Sequence, residues 1–245
     1  MKRNTYFQFK QFRINQEHCA MKVCTDACIF GALSDICTIK SVLDIGTGTG
    51  LLALMLAQRI PTNSFHIKAV EADKQAALQA AQNFSASPWS EQLECIPMRI
   101  QQFIHDHRNK GFDLIICNPP FYVNSTKPPL QKESMAFHAD TELPWSELLN
   151  CARACAHAST VMDILLPVQE MSLFCQLSPD YGFYPEYATT IFDHPGHKPR
   201  RMICRFTQKK GPIHFQNRPL IIRSSKGGAY TEECRHLLAP YYLFL

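Results

Sequence analysis

Apolar and polar positions follow two rhythms along this chain. Ser41-Val42-Leu43-Asp44-Ile45 and Phe112-Asp113-Leu114-Ile115-Ile116-Cys117 are short, nearly unbroken apolar runs, and runs of that length predict buried strands. Phe65-His66-Ile67-Lys68-Ala69-Val70 and Val161-Met162-Asp163-Ile164-Leu165-Leu166 predict two more, and strands near residues 187–192 and 202–207 complete the set. Helical spacing fills the intervals: Ala27 to Leu33, Leu51 to Gln58, a helix opening at Lys74, Trp145 to Ser159, Glu170 to Leu177, and Thr231 to Leu238 with Thr231 as its N-cap. Strand and helix alternating in this way predict an α/β fold with a doubly wound sheet. No repeat, low-complexity tract or linker divides the chain. The expectation is a single domain over residues 1–245 with a basic segment over about residues 1–20.

The run at 112–117 ends in Asn118-Pro119-Pro120-Phe121. Neither proline can donate to a sheet ladder, so the strand must stop there in a rigid extended turn. Open α/β folds place their chemistry at that carboxyl edge. The turn offers one amide side chain, one free carbonyl and one aromatic face, a set that can hold the amino group of a planar substrate. Asn-Pro is also a common turn initiator, and upstream residues decide between the two readings.

Gly46-Thr47-Gly48-Thr49-Gly50 follows the strand that contains Asp44, and a helix follows the glycines. Glycines permit positive φ and let a ligand approach the backbone, and the helix N-terminus adds free N–H groups. The spacing is G-x-G-x-G rather than the dinucleotide G-x-G-x-x-G, which favours an uncharged or zwitterionic nucleoside over a phosphate. An acidic residue should close the next strand and take ribose hydroxyls. Glu71 stands there, while the nearby Asp73 is better read as the N-cap of the helix at Lys74.

Asp44-x-Gly46-x-Gly48-x-Gly50, Glu71 and Asn118-Pro119-Pro120-Phe121 together resemble S-adenosylmethionine-dependent methyltransferases that act on amino groups. The likeness is closer to the tRNA1(Val) adenine-37 N6-methyltransferases. Phe9-Lys10-Gln11-Phe12, the segment from Cys19 to Asp26, Ser87-Pro88-Trp89, Ile100-Gln101-Gln102-Phe103 and Tyr242-Leu243-Phe244 also look like that family. The resemblance covers nearly the whole chain. It implies a mostly parallel, seven-stranded, Rossmann-like class I methyltransferase sheet, S-adenosyl-L-methionine as cofactor and tRNA as substrate.

By the same resemblance Asn118, Pro119, Pro120 and Phe121 are the catalytic set. Asn118 Oδ1 and the Pro119 carbonyl accept the amine hydrogens, and Phe121 stacks on the base. Lys22, Thr25, Asp26, Asp44, Gly46, Thr47, Gly48, Gly50, Glu71, Ile100 and Asn118 would hold the cofactor. Thr25 or Asp26 is equally readable as a helix N-cap. Two positions depart from the family pattern: Arg99, where relatives carry a small or acidic residue facing the cofactor's adenine, and Phe137, where an arginine is expected. The Asn-Pro-Pro-aromatic motif also serves ribosomal RNA guanine N2-methyltransferases and protein glutamine N5-methyltransferases. A cofactor-binding RNA module without catalysis would not need the paired acceptors.

Composition adds three points. No run of 18 or more apolar residues appears, so no transmembrane helix is expected. Met1-Lys2-Arg3-Asn4 has no apolar signal core after it, which argues for the cytoplasm. The 11 cysteines contain no Cys-x-x-Cys pair and the 10 histidines are dispersed, so reduced, mostly buried thiols are expected and no metal site. Net charge is only +4, but Lys198, Arg200, Arg201, Arg205, Lys209, Lys210, Arg218, Arg223 and Lys226 crowd the last quarter, interleaved with Phe206, Phe215 and Tyr230. Basic residues among aromatics are the footprint of nucleic-acid contact, or else a solvated strand face. Lys2, Arg3, Lys10 and Arg13 add to the basic N-terminus, and the polar loop after Phe121 puts Lys127 near RNA phosphate. No feature fixes an oligomeric state, and a monomer is compatible with the sequence.

Overall fold

A computed structural model describes residues 4–19, 21–62, 64–107, 111–119, 143–210 and 216–245. Chain order runs β1 (Tyr6–Gln8), β2 (Arg13–Asn15), α1 (Thr25–Leu33), β3 (Ser41–Ile45), α2 (Leu51–Ala57), β4 (His66–Glu71), α3 (Lys74–Ser85), β5 (Leu93–Pro97), α4 (Ile100–His107) and β6 (Phe112–Cys117). It continues α5 (Trp145–Ala154), β7 (Ala156–Leu166), α6 (Val168–Leu177), β8 (Tyr184–Phe192), β9 (Arg201–Thr207), β10 (Gln216–Ile221) and α7 (Glu232–Leu238). β1 and β2 form a separate hairpin. The other strands make one eight-stranded sheet in the order β10-β8-β9-β7-β6-β3-β4-β5.

Only β9 runs against the rest, antiparallel to both β7 and β8. The sheet is therefore mostly parallel and doubly wound as expected, with eight strands rather than seven. Two of the eight were not foreseen from the apolar runs, β5 and β10, and in β10 Gln216-Asn217-Arg218-Pro219 is exposed. β10 has no apolar run to announce it, and it carries a proline because it sits at the edge.

Every residue of β3 is buried, since helices cover both faces. α1, α2, α3 and α7 pack on one face with the β1–β2 hairpin, and α4, α5 and α6 on the other. The chain leaves β3 toward β4 on one side and later returns to β6 on the other, so the strand order reverses between β3 and β6. Their carboxyl ends form the crevice where such sheets bind ligands.

Four local expectations are corrected. α5 stops at Ala154, and residues 156–160 begin β7, with Ala156 paired to Phe112. α1 starts at Thr25 with Cys24 in the cap position and no side-chain cap bond, so neither Thr25 nor Asp26 is the N-cap. Arg205 lies inside the sheet, bonding both oxygens of buried Asp163 through Nε at 2.7 Å and Nη2 at 2.6 Å. Phe206 is fully buried. Arg205 and Phe206 therefore leave the surface basic–aromatic set.

Other expectations stand. Asp73 caps α3 by accepting from Ala76 N at 2.8 Å, and Thr231 caps α7 by accepting from Cys234 N at 3.2 Å. All the cysteines are free, and most are buried, Cys117 among them.

Candidate active site

The loop between β3 and α2 is held open by backbone geometry. Gly46, Gly48 and Gly50 take φ of 70°, 58° and 82°, a region that L side chains rarely adopt. A Cβ at Gly46 or Gly48 would meet nothing within 4 Å, whereas one at Gly50 would come within 2.5 Å of the Phe84 ring. The first two glycines thus leave room for a ligand, and the third lets α2 pack on α3. Gly46 N donates to Val70 O at 2.8 Å, and Gly50 N to Thr47 O at 3.0 Å. Asn83 of α3 ties this loop to the N-terminal segment, donating to both Thr49 O and Asn15 O.

Asp44 is fully buried beneath the loop. Its Oδ2 accepts from Thr47 Oγ1 at 2.6 Å, while Oδ1 has no partner. Burial pushes this carboxyl up to about 7; the Thr47 bond opposes that, and the charge of Glu71 adds to it. Glu71, at the end of β4, is better satisfied. Its Oε2 accepts from Gly48 N at 2.8 Å and its Oε1 from Asp73 N at 3.0 Å. Two backbone amides therefore fix the carboxylate, and each oxygen keeps a lone pair for a hydroxyl.

Asn118 follows the last residue of β6, with buried Pro119 after it. Asn118 Nδ2 points at Met21 Sδ, 3.6 Å away, and Asn118 Oδ1 is buried without a partner. A thioether only accepts, so the sulfur selects the amide edge that faces it and leaves the oxygen for something else. A buried acceptor left unmade costs about 1–3 kcal/mol. Asn118 also lines a cavity, so a ligand's donor is a candidate partner for it.

Asn118, Glu71 and the glycine loop line one cavity of about 560 Å³. Of the sequence-derived set, Lys22, Gly46, Thr47, Gly48, Glu71, Ile100 and Asn118 are in its wall. Asp44 and Gly50 support the loop from below. Thr25 and Asp26 are not among the lining residues. Burial raises the Asp26 carboxyl, with Arg200 and Arg201 pulling it back. Pro120, Phe121, Lys127, Phe137 and Phe215 lie outside the described residues.

Sequence reasoning gave no site role to Met21, His18, Cys19, Met98 or Leu143, which also line the cavity. Their only signal was the segment from Cys19, which contains Met21. Arg99 is part of the wall as well. Burial first, then Glu71 and Asp73, push the Cys19 thiol up to about 11, so it is a neutral wall group. Val70, Met98, Ile100 and Leu143 add an apolar surface suited to a flat heterocycle. The site thus combines a fixed carboxylate, an open backbone cradle, an apolar slot and one asparagine whose amide oxygen is unpartnered. Among the described residues no cluster of His, Cys, Asp or Glu is placed to hold a metal ion.

The family described as methyltransferase small domain matches residues 28–146, a span that includes the glycine loop, Glu71 and Asn118. A tRNA1(Val) (adenine(37)-N6)-methyltransferase of Dyadobacter fermentans is 37% identical over 245 residues, covering 99% of both chains. A protein of the same name from Escherichia fergusonii is 36% identical over 243 residues, covering 99% of this chain and 97% of its own. Among solved structures, a predicted O-methyltransferase from Agrobacterium tumefaciens has a TM-score of 0.67 at 16% identity, covering 88% of this chain and 96% of its own. That last likeness carries the fold alone.

Proposed function

The chain belongs to the tRNA1(Val) (adenine(37)-N6)-methyltransferase family, and on that premise we propose that it transfers a methyl group from S-adenosylmethionine to the N6 amine of adenine 37 in tRNA1(Val), in the cytoplasm. The observation that carries this reading is that Asn118, whose Oδ1 is buried without a partner, lines the same cavity as the glycine loop and Glu71.

The residues fit the cofactor. The two oxygens of Glu71, already oriented by Gly48 and Asp73, match a ribose diol. The bare Gly46 and Gly48 backbone would admit the amino-acid portion, and Ile100 with Val70 and Met98 would flank the adenine. When bound, S-adenosylmethionine supplies an electrophilic sulfonium methyl group.

The amine of adenine is a poor nucleophile because its lone pair is delocalised into the ring. Asn118 Oδ1 accepts one amine hydrogen and the Pro119 carbonyl accepts the other. Holding both hydrogens fixes the direction of the nitrogen lone pair. An amide is no base at ordinary pH, so the contribution of Asn118 is positioning. Phe121 stacks on the extruded base, a contact worth about 1–3 kcal/mol, and extrusion is cheapest from an unpaired loop.

The test supplies the purified chain with methyl-labelled S-adenosylmethionine and tRNA from cells lacking this protein, followed by nucleoside separation. Label in N6-methyladenosine is the expected result. Label in a methylguanosine, or only in ribosomal RNA or protein, would overturn the reading.

A further inference from the structure

The basic residues of the last quarter divide between the two edges of the sheet. β9 is antiparallel to β7, and Met202 pairs with Leu166. Arg201, the first residue of β9, therefore lies at the carboxyl edge, the edge that carries Asn118. β8 and β10 end at that edge too, at Phe192 and Ile221. The turn from β8 to β9 carries Lys198 and Arg200, and the segment after β10 carries Arg223 and Lys226. Lys209 and Lys210 follow the far end of β9 and lie at the amino edge.

Distance follows from strand order. β9 stands two strands from β6 and β10 stands four. At about 4.8 Å per strand, those offsets are roughly 10 Å and 19 Å from the strand that ends at Asn118. Arg200 and Arg201 lie close enough to Asp26, in the first turn of α1, to act on its carboxyl. Lys198, Arg200 and Lys226 are exposed. Arg223 is held in place, 4.6 Å over the Tyr230 ring and donating to Gly228 O at 2.7 Å. The acids beside this strip are Asp26 and Asp193, and α7 opens beyond it with Glu232 and Glu233.

We propose that this carboxyl edge, from Lys198, Arg200 and Arg201 to Arg223 and Lys226, is the track for the phosphate backbone of the substrate RNA. The target base enters at Asn118 and the adjoining stem lies toward β10. The proposal rests on the tRNA reading above and adds where the RNA lies. The amino-edge pair Lys209 and Lys210 takes no part. The strip reaches roughly 20 Å from the strand that ends at Asn118, about the width of one nucleic-acid helix, and backbone contacts of this kind set affinity and register without reading sequence.

The test measures binding of an unmodified tRNA1(Val) transcript over a salt series, independently of turnover. Lys198→Ala/Arg200→Ala should weaken binding roughly tenfold near physiological salt and flatten the log–log salt slope by about 1.5, since each lost phosphate contact removes about 0.7–0.9. Lys226→Ala should give about half that loss of slope. Lys198→Arg/Arg200→Lys, with charge kept, and Lys209→Ala/Lys210→Ala should both bind as the wild type does. Wild-type affinity and slope in the carboxyl-edge variant, or an equal loss in the amino-edge variant, would overturn the proposal. Failure of the proposed reaction is read separately, as tRNA that is bound but carries no label.

Discussion

The two ends of strands β3 and β6 are built on opposite principles. At the amino edge, Asp113 Oδ2 accepts from Lys40 N, Ser41 N and Ser41 Oγ at 2.9–3.0 Å, and Oδ1 meets His157 Nε2 at 3.1 Å. At the carboxyl edge, one strand-length away, Asp44 Oδ1 and Asn118 Oδ1 are buried with no partner. Asp163, also buried, follows the amino-edge pattern, with both oxygens taken by Arg205. Saturated polar groups brace the amino edge, while at the carboxyl edge Asn118 lines the cavity with its Oδ1 unpartnered. Natural structures leave few buried polar atoms unpaired; among the described residues Gln58 Oε1 and Ser178 Oγ are the others, and of the four only the Asn118 oxygen belongs to a residue that lines the cavity.

The edges should also respond to pH with opposite signs. Burial raises the Asp44 carboxyl from 3.8 to about 7, so the folded state holds its proton more tightly than the unfolded chain. This stabilisation is fully present below pH 3.8 and is lost as pH rises through 7, a change on the order of 4 kcal/mol. Asp44→Asn stays neutral throughout. The melting temperature of the variant relative to wild type should therefore climb between pH 5 and pH 8; a constant difference would contradict the account of Asp44.

Burial also opposes ionisation of Asp113, but the bonds from Lys40, Ser41 and His157 outweigh it and hold that carboxyl below 3.8. Its contribution is present above the unfolded value and fades as pH falls through the lowered one. Asp113→Ala should cost about 2 kcal/mol in denaturant unfolding, by stranding the Lys40 and Ser41 amides. Turnover per folded molecule should not change, and a specific loss of turnover would break the contrast between the edges.

A smaller effect should come from Met21. Leucine fills nearly the same space but offers no acceptor to Asn118 Nδ2. Met21→Leu should lower kcat about two- to fivefold, as expected for losing a hydrogen bond worth 0.5–1 kcal/mol, with the affinities for cofactor and tRNA unchanged. Met21→Ala should lower kcat to the same degree. If Met21→Leu behaves as wild type and only Met21→Ala is impaired, the side chain acts by packing and not by orienting the amide.

Much of the carboxyl edge was legible in the sequence because its signals are local. The apolar run stopped by prolines placed Asn118, the glycine spacing placed the loop, and strand length placed Glu71 about 20 residues on. What escaped depends on distant contacts. Met21 meets Asn118 across 97 residues, and nothing near Met21 in the chain announces that contact. Arg205 sits in a basic run, yet Asp163 draws it into the sheet. Helical spacing continues past Ala154, but pairing with Phe112 turns the next residues into strand. β10 is polar and edge-bound, and it is a strand only because β8 offers a free ladder.

The central claim is that the unpartnered oxygen of Asn118 is there for the substrate amine. Turnover and melting temperature of Asn118→Ala, measured together, test it most directly. The account predicts a loss in kcat of roughly 10²–10³-fold, as for removal of one positioned polar group in an active site. Cofactor affinity should be largely retained and the melting temperature unchanged or higher, because an unsatisfied buried group is gone. Near-normal turnover, or a loss of activity matched by a loss of folding, would contradict it.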